Sequence, residues 1–223
     1  MQSEGGQSKT KTLAYIAALL AAVTAVTFLF KAADKIASIP LKIAALYGIY
    51  LLLIALVVLV CRLEKRSVFD LGFSRVNLSA QILTGAAIAL ALSFLIGALP
   101  ILIGGSGASL IGGKPSGTFS IIYSIVTNLL FIGTCEELIF RGYVQTRLGE
   151  LTGHKYAGVI VAAALFGLWH IITGFWMQVI FTAFIGAAFG FCRAYLKNCS
   201  LLSVIIAHGL YNALLVVIRL ILL

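Results

Sequence analysis

Seven long apolar runs, separated by short polar or glycine-rich breaks, set the pattern of this chain. They are Leu13 to Phe30, Leu41 to Val60, Leu78 to Ile103, Phe119 to Tyr143, Ala157 to Ile172, Trp176 to Tyr195 and Leu201 to Leu222. Each is near the roughly 20 residues that a helix needs to cross a bilayer's hydrocarbon core. Pro40 suits the first turn of the second helix, and Arg62-Leu-Glu-Lys-Arg66 closes it. Gly104 to Gly117 is too polar and too rich in helix breakers to span. A polar loop through Glu150, His154 and Lys155 and turns at Thr173-Gly174 and Lys197-Asn198-Cys199-Ser200 are predicted between the later runs. The first run could be a signal peptide, but it is longer than an h-region and no small-residue cleavage site follows, so a retained span is expected. The predicted fold is all-α, a polytopic membrane bundle of about seven helices with its site between helices. Residues 1–12 read as a polar tail, 13–67 as two N-terminal membrane helices and 68–223 as the remainder of the bundle.

Composition agrees with that pattern. Hydrophobic residues make up 61% of the chain and charged ones 10%, against about 45–50% and 25% in soluble domains. The net charge of +9 does not indicate a nucleic-acid partner, because the basic residues stand at the ends of apolar runs and read as topology charges. Counted in alternate loops, Lys9, Lys11, Arg62, Lys65, Arg66, Arg75, Arg147, Lys155, Arg193 and Lys197 fall on one side, and Lys31, Lys35, Lys42, Lys114 and Arg219 on the other. That excess predicts a cytoplasmic N-terminus and, with seven spans, an outward C-terminus. The four cysteines show no Cys-x-x-Cys spacing, so neither a disulfide framework nor a zinc knuckle is indicated.

The stretch Cys135-Glu-Glu-Leu-Ile-Phe-Arg141 breaks the apolar pattern. Each ionised group at a membrane helix centre costs about 2.5–3.5 kcal/mol on translocon scales, so three together imply partners, water or chemistry. In an α-helix Glu137 and Arg141 share a face and can pair, while Glu136 points about 100° away and is left for chemistry. His170 ends Phe166-Gly-Leu-Trp-His in the fifth run, and His208 and Asn212 lie four apart in the seventh. At 1.5 Å per residue, Glu136 and His208 are each about 10 Å, and His170 about 20 Å, from the cytoplasmic ends of their helices. Such groups suit hydrolysis: Glu136 with His170 can activate a water, and His208 with Asn212 can stabilise an oxyanion. Other readings stay open. Both acids can simply bind Arg141 and lock two helices; Glu136, His170 and His208 can bind Zn²⁺; Cys135 with His170 can form a thiol pair; and buried Glu and His also mark proton-coupled transporters. His154 reads as an ordinary exposed residue.

Glu136-Glu137-x-x-x-Arg141, Phe166-x-x-x-His170 and His208-x-x-x-Asn212, in that order on successive apolar helices, resemble the three motifs of the CPBP family of CAAX proteases and bacteriocin-processing enzymes, also called Abi. Asp70-Leu-Gly-Phe73 is similar to a short element that often precedes that core, so the resemblance covers about residues 68 to 223. It implies an intramembrane endopeptidase, similar to type II CAAX prenyl proteases, whose site opens towards the cytosol. It also implies catalytic roles for Glu136, His170, His208 and Asn212, with Glu137, Arg141 and Phe166 as support. The implied partners are membrane lipids and a lipidated or membrane-associated peptide substrate. Relatives that confer bacteriocin self-immunity or regulate by binding supply a non-proteolytic alternative. No cofactor is firmly implied, zinc being the alternative. Short loops without an obvious organelle signal favour a bacterial plasma membrane.

Overall fold

The computed structural model describes residues 2–104, 117–172, 174 and 176–223, and among them every regular element is helical. Most of the predicted glycine-rich connection, residues 105–116, lies outside the described residues, as does Thr173 of one predicted turn. Among the described residues seven helices are long and apolar enough to cross a membrane: α1 (Lys9–Ala33, preceded by further helix from Gln2), α2 (Ile39–Leu63), α3 (Leu78–Leu102), α4 (Thr118–Thr152), α5 (Lys155–Ile172), α6 (Trp176–Tyr195) and α7 (Leu201–Leu222). Their exposed faces are apolar, as at Leu83, Leu90, Phe94, Ile180 and Phe184, which suits contact with lipid. The chain is a multi-pass membrane protein.

Helix α4 departs most from expectation. It does not stop at Tyr143 before a polar loop, but continues to Thr152. Its polar last turns, Gln145–Thr152, remain helical because their charges find partners. Arg147 is only 8% exposed; its Nε and Nη2 grip Glu64, at the end of α2, at 3.1 and 2.8 Å. The Tyr143 hydroxyl donates to the same carboxylate at 2.8 Å, and Arg147 also reaches Thr12 on α1 and Glu150. A bidentate guanidinium–carboxylate pair of this kind is among the stronger polar contacts available. Arg147, read from the sequence as a loop charge, is a helix-joining group.

The described residues divide into two compact units. The first takes the chain up to Phe73 together with Leu138–Tyr195. Its buried stripes follow helical spacing: Ile16, Leu19 and Val23 on α1, and Ile49, Leu53 and Val57 on α2. Between α2 and α3 a short 3₁₀ turn, Val68–Leu71, is closed by a capping box, in which Ser67 Oγ accepts from the Phe69 N–H and the Ser67 N–H donates to Asp70. Gly72, at φ 104°, lets the chain leave that turn in a conformation that side chains resist.

The second unit holds Ser74–Glu137 and Leu196–Leu223. Here α3 and α7 run in the same direction. A Cβ added to Gly85 would lie 2.5 Å from the Ser203 carbonyl oxygen, and one added to Gly97 would lie 2.6 Å from Leu215 Cδ2, an equal step along both helices. Apolar tails do not drive membrane helices together, so small residues that admit close backbone approach set such contacts. At one end Gln81, 1% exposed, donates to the Ser74 and Val76 carbonyls and accepts from Ser200, the N-cap of α7.

Glu64 and Arg147 side chains are 6% and 10% exposed, so removing one leaves the other buried and unpaired. Glu64→Ala and Arg147→Ala should each destabilise the protein by about 3 kcal/mol, and the double substitution by clearly less than their sum. Thermal unfolding of the four proteins in one detergent checks this; strict additivity would contradict it.

Candidate active site

The acid pair lies in a short α-helical turn, Gly133–Glu137, bracketed on α4 by two π-helical segments, Asn128–Ile132 and Leu138–Val144. Winding of this kind is rare and tends to accompany functional positions. It also alters the geometry expected from sequence. The i,i+4 pairing of Glu137 with Arg141 presumes α-winding, whereas Leu138–Val144 winds with i→i+5 bonds.

Within the second unit the turn is held against α7 by glycine. A Cβ on Gly133 would lie 2.6 Å from the Gly209 nitrogen, and one on Gly209 would lie 3.0 Å from the carbonyl oxygens of both Asn128 and Leu129. With the backbones this close, His208 reaches both acids. Its Nδ1 lies 2.7 Å from Glu137 Oε1, a short charge-assisted hydrogen bond, and its Nε2 lies 3.7 Å from Glu136 Oε2. An ionised carboxylate only accepts, so Nδ1 carries the hydrogen shared with Glu137, which fixes the ring's orientation. The longer separation is beyond a direct hydrogen bond and is one that a shared water can bridge. The acids also differ in access: the Glu137 side chain is 0% exposed and that of Glu136 14%. Asn212 follows one turn beyond His208 and is half-buried.

The first unit holds the remaining predicted site residues. His170 terminates the α-helical part of α5 and opens a 3₁₀ turn. One of its ring nitrogens, Nδ1, lies 2.9 Å from the Phe166 carbonyl oxygen. A carbonyl can only accept, so Nδ1–H donates, which fixes the orientation of the ring and of its other nitrogen, Nε2. The ring packs edge-on against Phe166 and Trp169, with centroids 4.6 and 5.1 Å away. Trp169 is in turn tied to α1 through Thr27, 3.2 Å from Nε1. Arg141, 1% exposed, sets its guanidinium 4.2 Å from the Phe166 ring centroid and donates from Nε to the Gly186 carbonyl at 3.3 Å.

A second side chain of α4 repeats that contact. Gln145 Nε2 donates to the Gly190 carbonyl at 3.2 Å, so two residues four apart on α4 address two glycines four apart on α6. Added Cβ atoms at Gly186 and Gly190 would come within 2.9 Å of Phe166 and of Gln145 Oε1 respectively. Arg193, one turn beyond Gly190, donates to the Arg141 and Leu71 carbonyls and to Thr146 Oγ1. Gln145 and Arg193 were not singled out from sequence. The small-residue spacing Gly186-x-x-x-Gly190 was the available signal for the first; an arginine at a helix end reads as a topology charge and hid the second.

Among the described residues, no group of three or more His, Cys, Asp and Glu side chains is disposed to hold a metal ion. Cys135 is buried within the turn, consistent with a packing role.

The packing makes a contrasting pair of expectations. Gly133→Ala forces two backbones apart and should cost about 1–3 kcal/mol, weakening the Glu137–His208 contact. Gly48→Ala on α2, where a Cβ would meet nothing within 4 Å, should be neutral or stabilise by up to about 1 kcal/mol. Melting temperatures of the two variants decide; equal effects would refute the role given to the glycine contact.

Comparison with known proteins gives a match to a family model over part of the chain. No curated protein and no solved structure is similar. A family model, described as Type II CAAX prenyl endopeptidase Rce1-like, matches residues 118–214, from the start of α4 into α7, and so takes in Glu136, Glu137, Arg141, Phe166, His170, His208 and Asn212. Over these residues the chain is similar to the Rce1-like family of type II CAAX prenyl endopeptidases.

Proposed function

We propose that this protein is an intramembrane endopeptidase that hydrolyses a peptide bond in a lipidated, CAAX-type or otherwise membrane-associated substrate. The observation that carries the reading is the contact of His208 with both Glu137 and Glu136, inside a segment that matches a peptidase family. Two adjacent acids on one imidazole exceed what a helix-to-helix lock requires.

In this reading Glu136 is the general base. It is the more accessible acid, and its carboxylate lies beside His208 Nε2, so that a water to one side of the pair can contact both. His170, presenting an unprotonated Nε2, assists in taking the proton as the water attacks the scissile carbonyl. His208, as an imidazolium that gives its Nδ1–H to Glu137, donates its Nε2–H, together with Asn212 on the same face of α7, to the oxyanion of the tetrahedral intermediate. Glu137 acts through His208: its hydrogen bond to Nδ1 directs the other nitrogen at the reacting atoms. Arg141 positions α4 by its grip on Gly186 and its stacking on Phe166, the residue whose carbonyl orients His170. The site opens towards the side that carries the N-terminus, assigned as cytosolic from the excess of Lys and Arg. The membrane is assigned as a bacterial plasma membrane on the same reading of the loops.

The decisive measurement is incubation of purified protein with a library of lipidated and unlipidated peptides, read by mass spectrometry. Glu136→Ala, His170→Ala and His208→Ala should each lower turnover by about 10²–10⁴-fold, and Asn212→Ala by about 10²–10³-fold, while the variants still insert and melt cooperatively. Unchanged cleavage in the first three variants would defeat the proposal.

A further inference from the structure

Two kinds of contact hold the His170 ring, and they restrict different motions. The hydrogen bond from Nδ1 to the Phe166 carbonyl fixes one ring nitrogen but leaves the ring able to turn about that bond. Phe166 and Trp169, whose rings meet it edge-on at 78° and 87°, limit that turning.

The two aromatic neighbours are not equally secured. Phe166 is 2% exposed, lies under the Arg141 guanidinium and has the Phe140 ring 5.0 Å away. Trp169 is half-buried and is the last residue of the α-helical part of α5, where the winding changes to a 3₁₀ turn. Its ring has Phe140 at 5.6 Å, and its one polar group reaches α1. All of these residues belong to the first unit.

The partner on α1, Thr27, is 2% exposed and lies within the apolar span. Its hydroxyl donates to the Val23 carbonyl at 2.8 Å, so towards α5 the oxygen accepts. The indole Nε1–H can only donate, and it lies 3.2 Å from that oxygen. The pair therefore fits in one sense only. Without the hydroxyl, the indole N–H is left in apolar surroundings, and the ring gains by turning towards another acceptor. The matched family segment begins at residue 118, so α1 lies outside it.

We propose that Thr27 is a positioning residue for His170, acting through Trp169, so that the first membrane helix is part of the hydrolytic machinery as well as an anchor. Its consequence for turnover rests on the catalytic reading of His170. Its effect on the orientation of the ring does not.

The test uses the full chain in lipid nanodiscs, with isotope-labelled histidine and ring-nitrogen NMR alongside peptide cleavage. The chain has three histidines, so His154 and His208 serve as internal references. Thr27→Val keeps the branched shape and removes the hydroxyl. It should shift or broaden the His170 signals alone, and lower kcat by about 10–100-fold with KM unchanged. Thr27→Ser, which keeps the hydroxyl, should restore both. Thr24→Val, one turn earlier on α1, removes a hydroxyl outside the relay and should match the wild type. In a Trp169→Phe background, which has no indole N–H to lose, Thr27→Val should have no further effect. Should Thr27→Val fail to insert, Trp169→Phe carries the same test from the donor's side. Unchanged His170 signals or an unchanged kcat in Thr27→Val overturn the proposal. So does a shift of all three histidines with a lowered melting temperature, which marks general loss of structure. If the wild type cleaves no peptide, the catalytic reading fails by itself, and the histidine spectrum still decides whether Thr27 orients His170.

Discussion

A polar or charged side chain inside hydrocarbon has no water to turn to, so the protein itself must supply each partner. Much of the described architecture follows from how this chain meets that demand. Glu64 receives Arg147 and Tyr143. Glu137 receives His208, and Arg141 receives a main-chain carbonyl and an aromatic face. Gln81 is met by two carbonyls and a serine. These contacts join segments distant in sequence, so they act on helix placement as well as on charge.

The partners come within reach because glycines let backbones approach. Gly133 meets Gly209 beside the acid pair, and Gly186 and Gly190 expose carbonyls to Arg141 and Gln145. Close approach and polar pairing are therefore one device here. A methyl group at either place would separate the helices and lengthen the hydrogen bonds together. The acid-bearing turn Gly133–Glu137, where this approach is made, is flanked on both sides by π-helical segments.

This explains what could be read from the sequence. Six of the seven spans fall within a few residues of the predicted bounds, because a bilayer's thickness writes itself directly into the length of apolar runs. The motif residues were identifiable because ionisable groups stand out against such a background. Three things were not legible. The extension of α4 to Thr152 depends on Glu64, a residue far away in sequence, so local polarity read as a loop. The π-winding after Glu137 leaves no pattern in residue type, so the sequence does not announce it. Arg193 serves two carbonyls that only tertiary structure brings to it.

The two adjacent acids can now be given separate duties on physical grounds. Consecutive residues on one turn have nearly the same depth, so depth does not distinguish them. Direction does: Glu137 points where no solvent reaches and is held by a short bond to His208, while Glu136 keeps a partly open face and a longer separation from the same ring. A fully buried, tightly bonded carboxylate suits the orienting of an imidazole, since it is fixed in place and shielded from competing water. A carboxylate with access and a gap suits the handling of a water molecule. On the proposed function, the imidazole between them transmits the position of one acid to the reacting space of the other. That proposal uses both glutamates, and exchanging their roles would require turning the helix that carries them.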